Sequence, residues 1–276
     1  MRLIAALLGL LALGTETAAA ERPPTPLDHL PALAGDYFPL RSREADHLYH
    51  IFVRLPEGYA AKPAERFPVV YLLDGDSTFP MLAPQHLFMT YDDKLPEAVI
   101  VGIAYGSFAK PVNRRHIDFM PPGAGVATAE AGAAVFHRFL ERELLPTVES
   151  RFRVDPARRV LVGQSRGGAM VMYSAFVKPD LFWARIASNA SFEPGREIFY
   201  GQPAASTRRD LKLVVVSGTR EDPERRRLAL EWHSAWERKP APWTVKRIDI
   251  EGGTHAADLP NGYRAAMRWL MGPAKP

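Results

Sequence analysis

The sequence predicts an α/β domain built on a twisted, mostly parallel sheet with flanking helices, and three observations carry that prediction. Short apolar runs rich in Val, Ile and Tyr alternate with longer stretches of helical periodicity. One run, 67–73, is apolar almost without interruption, as in a strand buried on both faces. Past residue 20 there is no linker, low-complexity tract or repeat, so residues 21–276 read as one domain with a sizeable core.

The first twenty residues stand apart. Arg2 gives a positive start, 3–14 is an apolar run, and Ala18-Ala19-Ala20 offers small residues before Glu21, the pattern of a cleaved secretory signal peptide. An apolar run of about a dozen residues is too short to span a bilayer core. The reading is a signal peptide over 1–20, export to the periplasm or the medium, and no stable membrane association after cleavage.

The elements follow in order. Residues 36–40 and 48–55 have strand character and pair antiparallel at one sheet edge, the second ending at Pro56-Glu57-Gly58. Strand 67–73 stops at Asp74-Gly75-Asp76, and 98–103 supplies another. Residues 128–150 read as a long amphipathic helix, with Phe136, Leu140, Leu144 and Val148 on one face and Arg138, Glu141 and Arg142 turned away. Pro146 is expected to kink or shorten its last turn. A short strand at 159–162 leads into a helix at 167–177. Strands at 181–188 and 211–217, a helix at 224–238, a strand at 245–250 and a helix at 263–270 complete the chain.

Composition narrows the chemistry. Cysteine is absent, which removes disulfides, thiol nucleophiles and thiolate metal sites. The net charge of +4 is mild and its charges are scattered; the one basic run, Arg225-Arg226-Arg227, has no interleaved aromatics, so a nucleic-acid partner is not expected.

The sharpest motif is Gly163-Gln164-Ser165-Arg166-Gly167-Gly168. A Gly-x-Ser-x-Gly pentapeptide arises by chance in about one chain in ten of this length, so context decides its weight. Here it follows a short strand and precedes a helix, the strand–turn–helix of a nucleophile elbow. Such a turn lifts the Ser165 hydroxyl above a helix N-terminus, where free N–H groups stabilise developing negative charge.

A serine hydroxyl needs a base. Of eight histidines, His255 lies in Gly252-Gly253-Thr254-His255-Ala256, a loop between the last strand and the last helix. That is where the base belongs when the chain order is Ser, acid, His. The acid is expected after strand 211–217, where Gly218-Thr219-Arg220-Glu221-Asp222-Pro223 offers two adjacent carboxylates. Glu221 is preferred; Asp222 is the alternative, although its place before Pro223 also suits a helix cap. For the oxyanion hole, one backbone N–H comes from Arg166. The other is expected from the loop after the central strand, with Asp76 ahead of Gly75.

These residues resemble a known family, the "putative esterase" family of the α/β hydrolases, which includes siderophore esterases, feruloyl and acetyl-xylan esterases, S-formylglutathione hydrolases and mycolyl-transferases. The resemblance rests on YHIFVRLPEGY at 49–59, FPVVYLLDGD at 67–76, RHIDFMP at 115–121, the elbow at 159–168, the acid three residues after Gly218, and the stretches at 253–260 and 266–270. Two positions depart from the family pattern. Arg166 stands where many members carry a hydrophobic residue, and Ser188-Asn189-Ala190-Ser191-Phe192 replaces a Ser-Pro-Ser-x-Trp stretch.

The resemblance implies an α/β-hydrolase fold, a small-molecule ester substrate cleaved through an acyl-enzyme, and no metal or organic cofactor. Its exported siderophore-esterase branch is the nearest, so a siderophore-type polyester is the expected substrate. A carbohydrate acyl esterase or an acyltransferase is the alternative on the same fold. A non-catalytic binding protein on a hydrolase scaffold is the alternative of another class, and it predicts a missing triad member. Oligomeric state is left open by the sequence.

Overall fold

The computed structural model describes residues 30–273; the signal-peptide reading of 1–20 lies outside them. The chain forms β1 (Gly35–Ser42), β2 (His47–Arg54), β3 (Phe67–Leu72), α1 (Gly75–Asp92), β4 (Val99–Ala104), α2 (Arg115–Asp118), α3 (Ala133–Phe139), α4 (Leu145–Arg151), β5 (Val154–Gln164), α5 (Arg166–Val177), β6 (Ala184–Ser188), α6 (Arg196–Tyr200), β7 (Leu211–Gly218), α7 (Pro223–Trp236), β8 (Trp243–Ile250) and α8 (Leu259–Met271).

All eight strands join one sheet in the order β1-β2-β4-β3-β5-β6-β7-β8. β1 and β2 are antiparallel at one edge, as expected, and the other six run parallel to one another. The apolar run of β3 is explained by burial on both faces. Val69 and Tyr71 enter a core built with α3, α4, α5 and α7, whereas Val70 and Leu72 enter a second core built with α1 and α8. Among the described residues no helix is long and apolar enough to cross a membrane.

Three local expectations need correction. The predicted helix over 128–150 is one helical run over 133–151 preceded by a short 3-10 turn, and Pro146 does not shorten its end. A π-helical turn at Leu140–Leu144 precedes the proline instead and takes up its missing N–H within the helix. The strand foreseen at 159–162 is the far half of β5, whose pairing with β3 jumps from Phe67↔Val154 to Val69↔Arg159. And α1 was not foreseen at all, because Pro80 and Pro84 sit inside it. Its burial of Phe79, Leu82, Ala83 and Leu87 overrides those prolines.

Arg185, in the middle of β6, is fully buried and, among the described residues, has no carboxylate within 4.0 Å. Its guanidinium donates to the backbone oxygens of Pro179, Phe182, Lys178 and Ser174 at 2.9–3.2 Å, and so caps the C-terminal end of α5. Burial pulls its pKa down to about 9. Arg185→Met takes the side-chain donor from all four carbonyls in an apolar setting, and only those of Ser174 and Lys178 keep a backbone donor, Lys178 N and Leu181 N. The expected loss is about 3–5 kcal/mol of unfolding free energy, read from the urea midpoint at unchanged slope.

Two buried histidines set the acid limit. His86 packs against the Tyr263 hydroxyl at 2.8 Å and His137 against Ser174 Oγ at 3.2 Å. Burial lowers both to about 4 from the ordinary 6.5, with Arg185 adding to the effect at His137. The unfolded chain therefore takes up protons between pH 6.5 and 4 that the native state refuses, and stability falls as pH falls through that window. Each histidine is expected to withdraw about 3 kcal/mol by pH 4. Unfolding measured from pH 7 to 4 should show the slope, and His137→Gln should flatten it.

Candidate active site

The elbow has the strained geometry that a presented nucleophile requires. Ser165 sits at φ 57°, ψ −116°, a conformation worth about 1–3 kcal/mol of strain. Three backbone bonds hold it. Its N–H donates to Ser188 O at 2.9 Å, and its carbonyl accepts from Ala169 N and Ser191 N at 3.0 and 3.1 Å. A Cβ on Gly163 would lie 2.4 Å from the Gly167 carbonyl oxygen, so the turn closes only with glycine there.

Two helix N-termini flank the hydroxyl. Arg166 is the first residue of α5, so its N–H has no partner within the helix. Asp76 lies in the first turn of α1. There Ser77 and Thr78 donate their N–H groups to the Asp74 carbonyl, and among the described residues those of Gly75 and Asp76 have no acceptor. The foreseen oxyanion loop is thus the start of a helix. The acidic side chains within it are clamps. Asp76 accepts from Tyr105 N and Gly106 N at 2.8 and 2.7 Å. Asp74, in the left-handed region at φ 56°, is gripped by both prongs of Arg115 at 2.7 and 3.0 Å. Burial holds the Asp74 carboxyl above its ordinary range, and the Arg115 guanidinium offsets only part of that rise.

His255 is brought to the acid that was preferred. Its Nδ1 lies 2.5 Å from Glu221 Oε2, and Glu221 is buried. The remaining Glu221 oxygen accepts from Asp222 N at 2.7 Å. Asp222 itself points elsewhere. Its carboxylate caps α7 by accepting from the Glu224 and Arg225 N–H groups, both at 3.1 Å. A carboxylate on Nδ1 fixes the tautomer that leaves Nε2 as the proton acceptor.

The histidine and acid loops are zipped together, which the sequence reading missed. Gly218 lies so close to Gly253 that a Cβ would fall 2.3 Å from its carbonyl oxygen. Arg220 N donates to that same oxygen at 2.8 Å. Asn189 ties the loops to the elbow. Its amide donates to the carbonyls of Thr254 and His255 at 3.0 and 2.9 Å, while its oxygen accepts from Gly218 N at 3.0 Å. Gln164 adds a further bond to the His255 carbonyl. The departure at 188–192 had marked Asn189 only as unusual; its role needed the fold.

Ser165, His255, Asp76, Arg115 and Phe108 face one cavity of about 310 Å³. No hydrogen bond joins the Ser165 hydroxyl to the His255 ring among the described residues; such bonds often tighten only in the reacting complex. A neighbouring apolar cavity of about 390 Å³ shares Asp76 and Phe108 and is floored by Phe52, Phe79 and Pro80. None of the six other histidines among the described residues lines the cavity that Ser165 faces.

Comparison with known proteins identifies the family and the fold. A family model described as "Putative esterase" matches residues 42–264. The chain is 26% identical over 263 residues to the ferri-bacillibactin esterase BesA of Bacillus subtilis (strain 168), covering 86% of this chain and 89% of that protein. It is 28% identical over 208 residues to the siderophore triacetylfusarinine C esterase of Aspergillus fumigatus, covering 73% and 68%. Among solved structures, an IroE-like serine hydrolase from Shewanella oneidensis superposes with a TM-score of 0.74 at 25% identity, covering 86% of this chain and 79% of that one.

Proposed function

The chain belongs to the putative esterase family of α/β hydrolases, and on that premise we propose that Ser165, His255 and Glu221 form its catalytic triad and that a siderophore-type ester is its substrate. The protein is a serine ester hydrolase. The observation that carries the site assignment is the single cavity faced by both the strained Ser165 and the His255 ring held by Glu221.

Ser165 Oγ attacks the ester carbonyl carbon while His255 Nε2 takes its proton. The oxyanion rests on the N–H groups of Arg166 and Asp76. The alcohol departs with the proton from His255, and water then repeats the cycle on the acyl-enzyme. Asn189 and Gln164 hold the backbone that carries the imidazole, so its approach to Ser165 is set by the sheet and not by the loop alone.

Support for the substrate class comes from the two relatives named as siderophore esterases. The leader-like pattern of residues 1–20 supports an exported location, periplasmic or outside the cell. A product survey tests the substrate reading. Rates are compared on trilactone siderophores, feruloylated sugars and short nitrophenyl esters, with kcat/KM highest on the trilactones as the expected result. Equal, slow turnover of all three, or preference for the sugar esters, overturns it.

A further inference from the structure

A third pocket, of about 370 Å³, opens on the Arg166 side of the nucleophile, and neither Asp76 nor Phe108 lines it. We propose that it is a specificity subsite for an anionic aryl group of the substrate, held by the Arg166 and Arg225 guanidiniums above an apolar floor. This rests on the ester-hydrolase reading of the site and adds the chemistry of one substituent.

The floor is Met120, Phe192 and Leu228, the last two buried, which suits the faces of a flat ring. The pocket touches the catalytic constellation directly, because Arg166 follows the nucleophile and Ser191 N donates to the Ser165 carbonyl.

Charge decides what the ring carries. Each carboxylate bordering the pocket already has partners. Asp222 accepts from two N–H groups of α7, Glu224 is bound by both prongs of Arg227 at 2.7 and 2.8 Å, and Glu193 faces Arg196 at 3.5 Å. The cations do not. Among the described residues, the exposed Arg166 side chain has no hydrogen bond and no carboxylate within 4.0 Å, and Arg225 has only the Ser191 hydroxyl at 3.0 Å. Arg196 and Arg227, which border the same face, both meet carboxylates. Two unpaired guanidiniums beside an apolar floor match a phenolate or carboxylate on an aromatic ring.

Direct binding tests this without relying on turnover. Salicylate and its neutral amide are titrated into the full protein and followed by chemical-shift changes. Salicylate is expected to bind about tenfold more tightly than the amide, with the difference shrinking as salt rises. Arg225→Met and Arg166→Met should each cut that preference several-fold, and the double variant should abolish it. Equal affinity for the two probes, no binding of either, or an undiminished preference in the double variant overturns the subsite. Turnover of nitrophenyl acetate by the wild type is measured alongside; its absence would fault the hydrolase reading and leave the binding result to stand by itself.

Discussion

Replacing Ser165 with alanine lowers kcat for ester hydrolysis by roughly 10⁴- to 10⁶-fold while leaving the protein folded. The size follows from what is lost. Without the hydroxyl there is no acyl-enzyme, and only the two N–H donors and substrate binding remain to assist attack by water. The fold should not suffer. The elbow is held by backbone bonds to Ser188, Ala169 and Ser191, none of which uses the Ser165 side chain. Alanine keeps the Cβ that the strained φ already accommodates, so an unfolding midpoint close to that of the wild type is expected. His255→Ala should cost nearly as much, and the double variant hardly more than either, because groups that act as a unit are not additive. Residual activity within tenfold of wild type in Ser165→Ala would move the nucleophile elsewhere.

The second large effect separates two neighbours in the chain. Glu221→Gln is expected to lower kcat by roughly 10³- to 10⁴-fold, with KM little changed. The amide nearly matches the carboxylate in shape, but it can no longer stabilise the imidazolium, and its N–H₂ end favours the wrong tautomer on Nδ1. Asp222→Ala should do something different. It removes the side chain that accepts from Glu224 N and Arg225 N, which costs about 1 kcal/mol of stability and leaves turnover of a neutral nitrophenyl ester within a small factor of wild type. Steady-state kinetics beside urea unfolding for both variants distinguishes a helix cap from an orienting acid. A loss of kcat in Asp222→Ala that matches the loss in Glu221→Gln would contradict the assignment.

Much of this was legible in the sequence because several signals are local. The Gly-x-Ser-x-Gly turn needs only its own neighbours to close, and the run 67–73 reports two-sided burial through composition alone. The expected order of serine, acid and histidine follows strand succession, so strands located to within a few residues were enough to point to Glu221 and His255, which the fold brings within 2.5 Å of each other. The Asp222–Pro223 step likewise announced the cap that it makes.

What stayed hidden depends on distant partners. α1 carries two prolines and a weak apolar periodicity, and it is helical because Phe79, Leu82 and Ala83 are buried between the sheet and α8. Asn189 bonds to loops 65 and 66 residues further along the chain, and Arg115 reaches Asp74 across 41 residues. No spacing rule announces such contacts. Arg185 lies within the predicted strand 181–188, where nothing local marks it, and the fold sets it beneath the end of α5 as the donor to four carbonyls.

The proposed mechanism depends on the hydroxyl of Ser165 being activated by the imidazole of His255. Intact-mass and peptide analysis after exposure to a fluorophosphonate measures that activation directly. A single phosphonyl adduct on Ser165 is predicted, formed rapidly by the wild type and not at all by Ser165→Ala, and strongly slowed in His255→Ala. A folded wild-type protein that takes up no label, or an adduct on any other residue that persists in Ser165→Ala, would contradict it.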